Sequence, residues 1–132
     1  MSDVRRISSG ATWEPIVGYS RTVVAGQLVE VSGTAPNVVD GEVQGGDDPY
    51  EQTLVCLRII GAALGRAGAT FADVIRTRMF VTDISRWEEY GRAHGEVFGD
   101  IRPATTMVEV SALIDPRMLV EVEATAYLGD RA

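Results

Sequence analysis

Residues 73–83 read DVIRTRMFVTD, and the fold class turns on this stretch. As a strand it would place Val74, Arg76, Arg78, Phe80 and Thr82 on one face and Ile75, Thr77, Met79 and Val81 on the other. One face is mixed and the other mostly apolar, which suits a strand covered by helices on one side only. A helix flanks it in each direction along the chain. Upstream, Asp48 is a good N-cap and Pro49 stands at the first helical position. Tyr50, Leu54, Leu57, Gly61 and Leu64 then recur at helical spacing. Gly68 stops this helix after roughly five turns. Downstream, Ser85-Arg86-Trp87-Glu88 has the form of a capping box. Tyr90, Ala93, His94, Val97 and Phe98 continue a second helix, which Gly99 ends.

Further out, residues 20–33 (SRTVVAGQLVEVSG) read as two strands turning at Ala25-Gly26. Residues 34–48 are rich in turn formers and read as a loop. Thr105–Val110 and Leu119–Tyr127 are two more strands. The order strand, strand, helix, strand, helix, strand, strand is that of an α+β fold, one domain over residues 1–132. Two helices cover only one face of a sheet of five or six strands. The other face, expected to carry Val29, Val31, Val108, Val110, Val120 and Val122 or their alternates, needs a symmetric partner to cover it.

Composition narrows the chemistry. The formal net charge is −7, from 12 basic and 19 acidic residues, and every basic residue is arginine. With no lysine there is no Schiff-base nucleophile and no Walker-type phosphate loop. The acidic balance opposes nucleic acid and anionic membranes as partners. No apolar run approaches the ~18 residues of a membrane span, and the N-terminus lacks a secretory h-region, so the expected compartment is the cytoplasm. Cys56 and His94 are the single cysteine and histidine, which excludes an intrachain disulfide and a zinc site of several Cys and His ligands. Cys56, in TLVCLRII, reads as a small core residue, and His94 as a residue packed on a helix face. There is no GxSxG elbow for a serine hydrolase.

Three clusters remain: Gly18-Tyr19 with Ser32-Gly33-Thr34-Ala35-Pro36, Arg102 to Val110 (RPATTMVEV), and Leu119 to Ala124 (LVEVEA). Carboxylates are depleted in strands and costly when buried, so Glu109, Glu121 and Glu123 stand out. Glu121 and Glu123 share a face; Glu109 and Glu123 read as solvated residues or partners of arginines. With the Arg76–Asp83 strand (RTRMFVTD) these clusters, in this order and spacing, resemble the YjgF/RidA family of reactive intermediate deaminases, also labelled endoribonuclease L-PSP. The resemblance runs from about Tyr19 to Tyr127. It implies a chorismate-mutase-like fold, a homotrimer with sites at the subunit clefts, and a small-molecule substrate. The implied reaction is hydrolysis of enamines or imines such as 2-aminoacrylate, with no metal and no organic cofactor.

By the same resemblance, Tyr19 and Gly33 are substrate-binding residues and Glu121 is the catalytic glutamate that acts as general base. The family's carboxylate-binding arginine follows Pro-Ala directly, and here that position is Thr105. A charge-assisted hydrogen bond is worth roughly 1.5–3 kcal/mol, so its loss weakens carboxylate binding about 10- to 150-fold. Arg78, on the long strand, is the better-placed substitute; Arg102 falls on the opposite face. Trp13 reads as core or rim packing near the cleft. The resulting expectation is a deaminase with an altered substrate. The alternatives are a trimer that binds a metabolite without turnover, and a ribonuclease, which the charge opposes.

Overall fold

The computed structural model describes residues 4–131. In chain order its elements are β1 (Val4–Ile7), α1 (Trp13–Val17), β2 (Thr22–Ala25), β3 (Leu28–Thr34), β4 (Val38–Val39), β5 (Glu42–Val43), α2 (Pro49–Arg66), β6 (Val74–Val81), α3 (Trp87–Phe98), β7 (Ala104–Glu109) and β8 (Val120–Tyr127). Six strands form one sheet in the order β1-β2-β3-β8-β6-β7, and β4 and β5 pair as a separate small hairpin. Only β6 and β7 run parallel. A parallel neighbour needs a crossover, and α3 supplies it.

The helix expected from residue 48 forms as read. The Asp48 side chain accepts from the backbone N–H groups of Tyr50 and Glu51 at 2.9 and 3.4 Å, and Pro49 opens the helix. Gly68, at φ 84°, lies just past its end. α2 buries Val55, Cys56, Leu57, Ile60, Ala63 and Leu64 against Val29 and Val31 of β3 and Val120, Val122, Ala124 and Ala126 of β8. Gln52, wholly buried, bonds the carbonyls of Gly46 and Arg117 and the N–H of Leu119, which ties the head of α2 to the start of β8.

Several details depart from expectation. The chain has a further strand, β1, whose two arginines mask its alternation, and a short helix, α1, ahead of the first hairpin. The loop after β3 contains the β4–β5 hairpin. Ser85 and Glu88 do not form a capping box. Instead the Asp83 side chain accepts from the Ser85 N–H and starts a single 3₁₀ turn, and α3 begins at Trp87. Near residue 75 the β6–β8 register slips by one residue. Val74 therefore joins Thr77, Met79 and Val81 among the buried residues.

The exposed sheet face is also different. Val29, Val31, Val120 and Val122 all lie in the core, beneath the helices. By alternation the uncovered face holds Glu30, Glu121, Glu123, Thr125, Arg78 and Phe80, with Val108 near one edge. It is a polar and charged surface with scattered apolar side chains, so burial of an aliphatic slab is not what a partner would achieve there.

The buried Glu14 of α1 ties the loop before α1 to the start of β2. Its carboxylate accepts from the Ser9 hydroxyl at 2.6 Å and from the N–H groups of Ser9, Ala11 and Arg21 at 3.1 Å each. Burial alone would raise its pKa; these hydrogen bonds outweigh burial and pull it down to about 2. A depressed folded-state pKa stabilises the protein above the unfolded value of about 4.5 and stops doing so as pH falls toward 2. Glu14→Gln should therefore lower stability at neutral pH by on the order of 3 kcal/mol. It should also flatten the loss of stability between pH 4.5 and 2 in urea titrations. Equal slopes for both proteins in that window would show that Glu14 is not the source of the acid sensitivity.

Candidate active site

Two segments meet at the end of the first hairpin. Between Val31 and Thr34, β3 carries one residue more than its partner β8, which makes a bulge at Ser32-Gly33. Bulged backbone groups leave the ladder and need other partners. Arg21, immediately before β2, provides them. Its Nη1 donates to the carbonyls of Ser32 (3.2 Å) and Gly33 (2.7 Å) and to the Thr34 hydroxyl (3.0 Å). Its Nη2 donates to the Tyr19 hydroxyl at 3.2 Å, with the guanidinium 5.5 Å from the centre of the Tyr19 ring. Ser32 completes the join, its hydroxyl donating to the Ser20 carbonyl at 2.6 Å and its N–H to that of Arg21 at 2.9 Å.

Glu121 approaches the bulge from β8. A Cβ placed on Gly33 would lie 2.2 Å from Glu121 Oε2. The carboxylate thus rests against the bare backbone of Gly33, and any larger residue at 33 would displace it. Glu121 is half-buried. Burial raises its pKa above the ordinary carboxylate range, the Arg21 charge pulls it partly back, and Glu123 pushes it up again. Because the Tyr19 hydroxyl accepts from Arg21, its own proton is free to donate to a ligand. A cavity of about 810 Å³ opens beside Tyr19, Ser20 and Ser32, walled by the Glu14 loop; Gly33 and Glu121 do not line it. Together these groups offer a carboxylate poised to take a proton, a hydroxyl donor and a fixed backbone edge.

Glu121 thus meets Gly33 directly, and Arg21 links Gly33 to Tyr19. Arg78 shares the sheet face of Glu121 but stands 3.8 Å from Glu123, with both side chains well exposed. Such a pair is worth little, and the guanidinium is free to turn to another anion. Glu109 accepts from the Ile84 N–H at 3.0 Å, so it braces the turn before α3. Trp13 is 48% exposed on α1. Arg102 precedes β7 in a left-handed conformation, φ 58°.

Thr105 does not join this group within one chain. In register it lies beside Thr77 and, beyond, Ala124, on the helix-covered face, whereas Glu121 pairs with Phe80 and points the other way. The Thr105 hydroxyl is 2.5 Å from that of Thr77, which is 2.8 Å from Nε2 of His94 on α3. β7 is an edge strand. Among the described residues, no three His, Cys, Asp or Glu side chains stand together as metal ligands would.

Arg21, which links the bulge to Tyr19, is absent from the candidates that the sequence offers. An arginine one step before an apolar strand looks like a solvated end. Its one signal is position: it follows Tyr19 by two residues and enters a hairpin whose far end is Ser-Gly-Thr.

The family model described as Endoribonuclease L-PSP matches residues 10–128. An uncharacterized Streptomyces coelicolor protein is 42% identical over 126 residues, 96% of this chain and 93% of that protein. A RutC family protein of Pyrococcus abyssi is 35% identical over 116 residues, 86% of this chain and 89% of its own. Among solved structures, Rv2704 of Mycobacterium tuberculosis, a member of the YjgF/YER057c/UK114 family, superposes with a TM-score of 0.86 at 54% identity. That alignment covers 95% of this chain and 99% of Rv2704. The shared architecture is the chorismate-mutase-like α+β fold.

Proposed function

The chain belongs to the YjgF/RidA family, and on that premise we propose that it hydrolyses a small imine or enamine to a carbonyl compound and ammonia, in clefts between the subunits of a homotrimer. The observation that carries this reading is the Glu121 carboxylate, raised in pKa and seated on Gly33, whose carbonyl shares the Arg21 guanidinium with the Tyr19 hydroxyl. Glu121 takes a proton from water as the water oxygen bonds to the imine carbon, and the C=N pair moves to nitrogen. The protonated Glu121 then returns its proton to the nitrogen. Glu121 next takes the hydroxyl proton of this carbinolamine and passes it to the amino nitrogen; the C–N bond breaks as the oxygen pair forms the carbonyl, so that one imine and one water give one carbonyl compound and one ammonia. An enamine first tautomerises to the imine.

The trimer supplies what one chain lacks. Thr105 and Glu121 face opposite sides of one sheet, and the edge position of β7 lets Thr105 of one copy stand across the cleft from Glu121 of another. Light scattering should return three copies of the 14.2 kDa chain, about 43 kDa; a stable monomer would remove the cleft. No helix among the described residues is long and apolar enough to cross a membrane.

The test is release of ammonia and keto acid from freshly generated 2-aminoacrylate, run beside a relative that keeps arginine after Pro-Ala. The protein should accelerate release measurably and less than that relative. One observation favours a second reading, binding without turnover: the charged fork that would hold a substrate carboxylate is absent at Thr105. No acceleration over buffer with any imino acid, together with a measurable Kd for the keto acid, would establish it.

A further inference from the structure

We infer that Thr105, Thr77 and His94 form a hydrogen-bond relay that sets the polarity of the Thr105 hydroxyl and fits it to a carbonyl or carboxylate oxygen of a bound ligand. The inference rests on the functional reading above for the ligand alone; the relay itself stands on geometry. Thr77 lies in β6 among Val74, Met79 and Val81 and is completely buried, a position where valine would pack equally well. A buried hydroxyl is costly unless bonded, and this one has a partner on each side, Thr105 at 2.5 Å and His94 Nε2 at 2.8 Å. Phe98 packs against the imidazole, ring centres 4.6 Å apart. Burial lowers the His94 pKa, so at neutral pH the ring is uncharged and has one donor and one acceptor nitrogen. The outer member, Thr105, is exposed at the sheet edge.

A hydroxyl has one proton, so the orientations are linked. If Nε2 carries the proton, His94 donates to Thr77, Thr77 donates to Thr105, and the Thr105 proton points outward. If Nε2 is bare, Thr77 donates to it, Thr105 donates to Thr77, and only oxygen lone pairs face outward. An incoming carbonyl or carboxylate oxygen selects the first state. An incoming ammonium selects the second. Thr77 and His94 are positioning residues, acting through Thr105.

Because His94 is the chain's single histidine, nitrogen NMR of labelled full-length protein reads its tautomer directly. The measurement is made at a pH where the ring is neutral. In Thr105→Val, Thr77 has only the ring as partner. An unpaired buried donor is the less tolerated state, so Thr77 should donate to Nε2 and the Nδ1–H tautomer should rise. The expected change is roughly two- to tenfold in tautomer ratio, that of one ordinary hydrogen bond. Thr105→Ser should restore the wild-type ratio, which a merely structural role would not require. Thr77→Val should abolish the response to any change at 105. Identical ring signals in wild type and Thr105→Val, with Thr77→Val altered, would overturn the relay.

The ligand arm uses 2-oxobutanoate as probe. It should move wild-type His94 toward the Nε2–H tautomer and leave Thr77→Val unmoved. A shift of the Tyr19 signals without any at His94 would overturn the ligand-facing role while the functional reading survives. A shift toward Nδ1–H would overturn the acceptor-oxygen assignment. Silence at both Tyr19 and His94 would count against the functional reading and against the oxygen assignment together, with the relay judged by the valine and serine variants.

Discussion

Glu121→Gln should remove the proposed deaminase activity, by roughly 10²- to 10⁴-fold in kcat, the range a positioned proton-transfer group contributes. Glutamine keeps the size and one acceptor oxygen but takes no proton from water. Its amide also sits where the carboxylate now lies against Gly33. The protein should stay folded, because no hydrogen bond or ion pair holds the Glu121 carboxylate among the described residues: the bulge is held by Arg21, through Ser32, Gly33 and Thr34. Binding of the keto-acid product should change far less than kcat. The wild-type rate should fall as pH drops through the raised pKa of Glu121. Arg21 is the charge that pulls this pKa back down, so Arg21→Met should move the acidic limb to higher pH, provided the variant remains folded by circular dichroism. Gly33→Ala provides an independent test. Its Cβ would meet only the end of a flexible side chain, so it should displace the carboxylate and lose most of the rate with little loss of stability. A Glu121→Gln protein that retains wild-type kcat would eliminate the general-base assignment, and Tyr19 would become the residue to test.

How far the sequence carried these conclusions depends on the kind of signal. The α2 boundaries were legible because Asp48 and Pro49 act locally and the apolar spacing is regular. The β6 strand was legible as a strand, but its faces were not, since a one-residue slip near residue 75 is decided by pairing with β8 and leaves no local trace. Alternation separated Glu121 from Val120 and Val122 without saying which set the helices cover. That depends on what α2 packs against. Tyr19, Gly33 and Glu121 were legible through motif order, and the structure brings them together across more than a hundred residues of chain. Arg21 was not, because its four acceptors come from the bulge and from Tyr19, and a bulge is invisible until strands are registered. The bonds from Thr77 to His94 and Thr105 likewise join three elements far apart in sequence.

Thr105→Arg should restore carboxylate binding and raise kcat/KM for 2-imino acids about 10- to 150-fold, the worth of one charge-assisted hydrogen bond. The gain should come mainly through KM, because the carboxylate, although bonded to the reacting carbon, keeps its charge through the addition and is bound equally in ground and transition states. The substitution removes the hydroxyl that pairs with Thr77, but Thr77 keeps His94 as a partner. The fold should therefore lose only about 0.5–1.5 kcal/mol. Thr105 is exposed at the edge of the sheet, so the longer side chain has room to extend outward. Two outcomes would point elsewhere. If the wild type already matches an arginine-bearing relative, another group holds the carboxylate. Arg78 is the first to test, since only an exposed pairing with Glu123 occupies it, and Arg78→Ala should then raise KM. If Thr105→Arg leaves kcat/KM unchanged in an intact oligomer, the ligand has no carboxylate at that end. A neutral carbonyl, which one hydroxyl donor suffices to hold, would be the group that the Thr105 side chain is suited to meet.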